Sequence, residues 1–204
     1  MKFYEIATLS IRMGTMPVVI EAAAGFAAQG GGRLLGIWNV DVGPVNRILV
    51  MRGFDEAGDL LDERRRTHES ENPFGCADAV EQLSFETFEP FDFMPPIVPG
   101  EYGNLYEFRV YPLKLAGGYA QTAGKWKAAL PVRDTFSKCL IAMRALDGEP
   151  RFLNIWPYAN FEARAKARTE SVASGQWPPK GGPDWLRPHM SSTLAVATGN
   201  SPLR

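Results

Sequence analysis

Residues 104–115 read NLYEFRVYPLKL, and residues 2–13 read KFYEIATLSIRM. Tyr106-Glu107 stands in the later stretch where Tyr4-Glu5 stands in the earlier one, about a hundred residues upstream. Both stretches are β-rich, with the alternation of a half-buried strand. The later stretch therefore restarts the chain. A period this long marks a domain duplication and not a solenoid. The expected division is a first repeat over residues 1–94, a linker over 95–103, and a second repeat over 104–204. Pro95-Pro96 and Pro99-Gly100 mark the linker, because proline cannot donate to a sheet ladder.

Outward from the first strand, Gly14 supplies a turn, Thr15 a cap, and Pro17 falls in a first helical turn where its missing N–H costs nothing. Val19, Ala22 and Phe26 recur at helical spacing, and Gly30-Gly31-Gly32 stops that helix. Residues 33–41 and 46–53 read as a hairpin about Gly43-Pro44. Residues 55–69 form a helix with acids early and Arg64-Arg65-Arg66 late, the order the helix dipole favours. That arginine run reads as a solvated face, as does His68 after it. A strand over 81–89 completes β-α-β-β-α-β, the ferredoxin-like split unit.

The second repeat follows the same order. Tyr119, Ala123, Trp126 and Leu130 share a helix face. Residues 136–146 and 151–156 form a hairpin about Asp147-Gly148, with Arg151 aligned to Arg47. Asn160 caps a helix over 161–174, and a strand over 192–198 ends the unit after a loop rich in Pro, Gly and Trp. The fold class is α+β: a duplicated ferredoxin-like repeat whose two open sheet faces turn toward each other around a cavity.

Bulk properties narrow the function classes. The chain has 204 residues, 45% of them hydrophobic and 22% charged, the balance of an ordinary globular protein. A net charge of −1 leaves no footprint for nucleic acid or an anionic membrane surface. No apolar run reaches transmembrane length, and the start of the chain lacks the apolar core of a signal peptide. Two distant cysteines, Cys76 and Cys139, have no metal-ligand spacing and read as free thiols of a reducing, cytoplasmic setting, a bridge between them being the alternative. Exposed sheet edges lead us to expect a homo-oligomer.

The candidate chemistry is sparse. In residues 104–111, Tyr106, Phe108 and Val110 share one parity and are expected to pack on the helices. Glu107, Arg109 and Tyr111 share the other and are expected to line the cavity. A carboxylate beside a guanidinium and a phenol can bind and polarise an oxygen-bearing ligand; the same trio also suits a structural ion pair. If Glu5 and Glu107 entered one cavity, one would have a raised pKa. Trp38 and Trp156 suit stacking on a flat ligand or core packing, and Trp177 and Trp185 suit a lid. Arg47 joins the ligand-binding candidates. His189, just before the last strand, suits a general base, a haem ligand or a plain surface histidine.

Three patterns resemble a known family. YEFRVY at 106–111, GIWNVDVGPVN at 36–46 and WPYANFEAR at 156–164 look like the signature strands and strand-to-helix passage of NIPSNAP proteins. The copies differ. The first has Ile6-Ala7-Thr8 where the second has Phe108-Arg109-Val110, and the second lacks the hairpin Trp and Gly. The resemblance implies a dimeric α+β barrel, a fold shared with cofactor-free small monooxygenases, haem-binding chlorite dismutase-like proteins and muconolactone isomerase-like proteins. It implies no common reaction. The expectation carried forward is a small apolar or aromatic ligand in the inter-repeat cavity, bound or converted without a cofactor. The alternatives are a haem protein with His189 as axial ligand, and a non-enzymatic interaction module.

Overall fold

The computed structural model describes residues 1–204, the side chain of Pro183 excepted. The first repeat runs β1 (Phe3–Ile11), α1 (Met16–Ala28), β2 (Arg33–Val42), β3 (Arg47–Phe54), α2 (Ala57–Glu69) and β4 (Val80–Pro90). The second runs β5 (Leu105–Pro112), α3 (Gly118–Arg133), β6 (Ile141–Ala145), β7 (Arg151–Tyr158), α4 (Phe161–Ala173), the short α5 (Gly182–Trp185) and β8 (Ser191–Ala197). Asn160 caps α4 as expected, its Oδ1 accepting from the Ala163 N–H at 2.8 Å. Strand β6 begins later than the sequence pattern indicates. The chain turns over Phe136 and Ser137 at the end of α3, and Asp134 Oδ1 accepts from the Cys139 N–H at 2.9 Å. Those bonds hold the segment off the sheet.

Each repeat is an antiparallel sheet, ordered β4-β1-β3-β2 and β8-β5-β7-β6. Two seams join them into a closed eight-stranded barrel. In one, β2 pairs with β8 and Trp38 lies opposite Ala197; in the other, β4 pairs with β6 and Phe88 lies opposite Ala145. Every strand therefore has two neighbours, and the open edges on which self-association was expected are absent from the barrel.

The barrel interior is filled. Tyr4, Ile6, Trp38 and Met51 pack in one cluster with Tyr106, Phe108, Met143 and Ile155. Trp38 meets both Tyr106 and Phe108 at ring-centroid separations of 5.2 Å. Gly36 makes that possible, since a Cβ there would lie 1.9 Å from the indole. The G-x-W pattern is thus a packing device. Ile97 of the linker and Leu203 near the chain end join the same cluster. The Ile97 N–H donates to the Tyr4 hydroxyl at 3.1 Å.

The expected faces of β5 are reversed. Tyr106 and Phe108 point into the barrel, and the partly buried Val110 packs with them. Glu107, Arg109 and Tyr111 lie on the outer face, beneath the helices. The physical reason is solvation. A closed interior offers no water and no helix-borne partners, so it takes the fully apolar parity. The outer face meets amphipathic helices that bring arginines with them.

Candidate functional site

The two glutamates at matching places on β1 and β5 are both buried, and each is met by arginines from the helix outside it. Glu5 lies opposite Arg52 in the β1–β3 ladder. Arg52 Nη2 donates to Glu5 Oε1 at 2.6 Å, and its Nη1 donates to Glu63 of α2. Arg64 Nε and Nη2 donate to Glu5 Oε2 at 2.9 and 2.8 Å. Glu63 also accepts from the Gly31 N–H and from Arg66 Nε, both at 2.9 Å. Burial opposes ionisation of Glu63, but the Arg66 and Gly31 bonds and the Arg52 charge together outweigh it and hold the pKa below the ordinary glutamate value. Arg64 and Arg66 are therefore structural; of the expected solvated run, Arg65 alone is exposed. Aromatic rings close over this network. Arg52 sits 5.6 Å from the Phe74 ring centroid, Arg64 5.0 Å from Phe85, and Arg66 3.8 Å from Phe26.

In the second repeat Glu107 lies opposite Trp156 in the β5–β7 ladder. Its Oε1 accepts from Arg164 Nη2 at 2.7 Å, Arg168 Nη1 at 2.9 Å and Ser192 Oγ at 2.7 Å. Arg109 Nε stands 3.8 Å away. Burial again opposes ionisation. The bonds from Arg164 and Ser192, with the Arg109 and Arg164 charges, win, so Glu107 is held ionised and its pKa lies below the ordinary value. The condition for one glutamate to raise the other's pKa is not met, because the two face different helices and never share a space.

Beside this second network lies a cavity of about 720 Å³. Its floor is the outer face of β5 and β8, through Arg109, Tyr111, Ser191 and Ser192. Helices α3 and α4 wall it with Trp126, Arg133 and Arg168. The segment between α4 and β8 covers it with Trp177 and Trp185. Trp177 is fixed edge-on against Trp126 and Trp156, with centroids 5.1 and 5.9 Å apart. Arg133 is 2% exposed. It donates to Ser137 Oγ at 3.0 Å and to the Tyr158 hydroxyl at 3.2 Å, and it lies 4.3 Å from the Trp156 ring centroid.

The sequence candidates divide accordingly. Arg109, Tyr111 and Trp177 line the cavity. Glu107 stands behind the wall and positions Arg168 and Ser192, which do line it. Trp156 is buried beneath Arg133, its Nε1 donating to Asn154 Oδ1 at 2.6 Å. Trp38 belongs to the barrel interior, packed against Tyr106 and Phe108 and away from this cavity. Arg47 opens β3 opposite Ser10 in the first repeat, away from the cavity. His189 is exposed and forms no part of the wall. His68 is exposed too, edge-on to Phe85. Among the described residues the wall holds no imidazole or thiol, so its donor set does not fit a haem held by His189. Both cysteines are free and buried. The sequence reading missed Arg133 and Arg168. Arg133 was detectable, since it continues the stripe of Trp126 and Leu130 by one more helical step and so interrupts an apolar face with a cation.

Among the described residues no helix is long and apolar enough to cross a membrane, and no cluster of His, Cys, Asp and Glu could hold a metal ion. None of the curated proteins matches the chain. Solved structures do. A protein from Lactobacillus acidophilus NCFM assigned as a monooxygenase superposes with a TM-score of 0.62 at 14% identity, covering 97% of this chain and 94% of its own. An anthrone oxidase-like protein superposes with a TM-score of 0.64 at 12% identity, covering 97% and 91%. These likenesses are of fold. A NIPSNAP domain protein from Burkholderia xenovorans, 20% identical, covers 46% of this chain and 99% of its own at a TM-score of 0.39. The NIPSNAP family model matches residues 4–85 and 106–202, one stretch in each repeat, and on that match the chain belongs to the NIPSNAP family.

Proposed function

We propose that this NIPSNAP protein binds a small molecule with a flat apolar body, and that the site is the second-repeat cavity instead of the barrel interior. The observation that carries the reading is the wall itself. Three tryptophans, Trp126, Trp177 and Trp185, and Tyr111 surround a volume of about 720 Å³, within the ~300–1,000 Å³ of small-molecule sites. Aromatic walls favour flat ligands through offset and edge-on ring contacts. The fold neighbours named for oxidation chemistry share the architecture, but the reading rests on this chain's own cavity.

The test is a titration with 2-naphthoate and 2-naphthamide, followed through tryptophan fluorescence. A saturable change with at least one probe is expected, weakened by about tenfold in Trp177→Ala, since an aromatic anchor of this kind contributes on the order of 1–2 kcal/mol or more. Absence of a saturable response to both probes overturns the reading.

A further inference from the structure

We infer that the ligand of this cavity is an organic carboxylate, its anionic end held by Arg133 and Arg109 and its apolar body against the tryptophans. The inference rests on the proposed binding site and adds the chemical class. Among the described residues, four cationic side chains, Arg109, Arg133, Arg168 and Lys180, line the cavity, and no carboxylate does. Glu107, behind the wall, answers Arg164 and Arg168 through one oxygen. That leaves Arg133 without an ion-pair partner among the described residues and Arg109 with only a long approach to Glu107. Arg133 is 2% exposed, and its hydrogen bonds go only to neutral groups, Ser137 and Tyr158. Arg109 has a buried Nε with no hydrogen-bond partner, and its one carboxylate contact is the 3.8 Å approach to Glu107.

A buried guanidinium without a counter-ion is costly, and removing water from it makes an incoming anion worth more than at a surface. The two arginines also oppose each other. Burial first, and the Arg109 charge among the smaller causes, push the Arg133 pKa down, while the Tyr158 phenol resists. An anion between them would satisfy both charges. A carboxylate suits the place because its two oxygens match the planar fork of a guanidinium. The ring contacts of Arg133 with Trp156 at 4.3 Å and Trp177 at 5.9 Å hold that fork in a fixed plane beside the apolar wall. A flat acid would therefore meet charge and ring surface together.

The experiment compares dissociation constants of 2-naphthoate and 2-naphthamide by calorimetry, for the native chain and for Arg133→Met and Arg109→Met. The two probes share the ring system and differ in charge. The naphthoate should bind at least about tenfold tighter, and the preference should fall to near unity in Arg133→Met with naphthamide binding retained. Arg109→Met should reduce the preference severalfold. Should Arg133→Met not fold, Arg133→Lys replaces it, and its compact ammonium should cut the preference severalfold. Equal affinities in the native chain, or a preference unchanged by the Arg133 and Arg109 variants, would overturn the carboxylate assignment while leaving the cavity reading intact. Binding of neither probe defeats the cavity reading itself.

Discussion

The two repeats apply one backbone plan to opposite ends. β3 and β7 have equal lengths, as do α2 and α4, and the strand-to-helix spacing is the same. Arg52, Glu63 and Arg64 therefore correspond to Trp156, Ala167 and Arg168. In the first repeat two glutamates and three arginines pair with one another, each arginine meeting at least one carboxylate at hydrogen-bond distance, and Phe74 and Phe85 cover them. In the second, Trp156 and Ala167 remove one arginine and one acid. Ladder positions continue the contrast. Ala7 lies opposite Phe85 in the first repeat, whereas Arg109 lies opposite Ser192 in the second. The connection after α2 is short and drops Phe74 onto the network. The one after α4 is longer and spans the equivalent space with Trp177 and Trp185. The lesson is that charge paired at short range under packed rings is filler, and charge left without a close carboxylate beside a roofed space marks a candidate site.

The sharpest way to break this contrast is to compare arginines. Arg52→Met should destabilise the fold by about 3–5 kcal/mol, because it strands buried carboxylates. Arg109→Met, which removes a guanidinium with one long carboxylate contact and a ring contact 5.2 Å from the Tyr111 centroid, should cost less than about 1 kcal/mol. Urea unfolding of the two variants checks the pair, and similar losses would erase the distinction between filler and site. The next effect concerns acid. Glu63 and Glu107 both have folded pKa values below the ordinary glutamate value. Their stabilisation is present above that value, about 4.3, and is lost as pH falls through the lower folded values. Unfolding free energy measured from pH 6 downward should drop most steeply below about 4. Glu63→Gln should flatten the part of that limb due to Glu63 and leave the part due to Glu107. The smallest effect uses one thiol in each half. Burial pushes the Cys76 pKa up to about 11 and raises that of Cys139. Both should resist a thiol reagent at neutral pH in the folded protein and react on unfolding. Rapid reaction of one alone would show which repeat opens first.

The repeat, the element order and both hairpins were legible because they are written locally, in strand alternation, helical spacing and turn residues. The NIPSNAP patterns were legible for the same reason. The facing of β5 was not. Alternation separates Tyr106 and Phe108 from Glu107 and Arg109 but does not say which set a closed barrel will enclose. The deciding partners, Arg164 and Arg168, lie more than fifty positions downstream. Trp177 lines the second-repeat cavity, and a tryptophan in a Pro/Gly-rich connection signals a surface to cover. Trp38 was misplaced because an aromatic strand residue reads alike in a pocket and in a core. His189 carried no local signal beyond its rarity, and it is exposed.

The seams β2–β8 and β4–β6 are formed within one polypeptide. A barrel assembled from two identical copies of a repeat is bound by its two-fold axis to carry two equal sites. Fusion in tandem lifts that obligation, because each half has its own codons and can accumulate substitutions its twin never receives. One half can then specialise as scaffold while the other specialises as receptor, a division of labour that a symmetric assembly cannot reach.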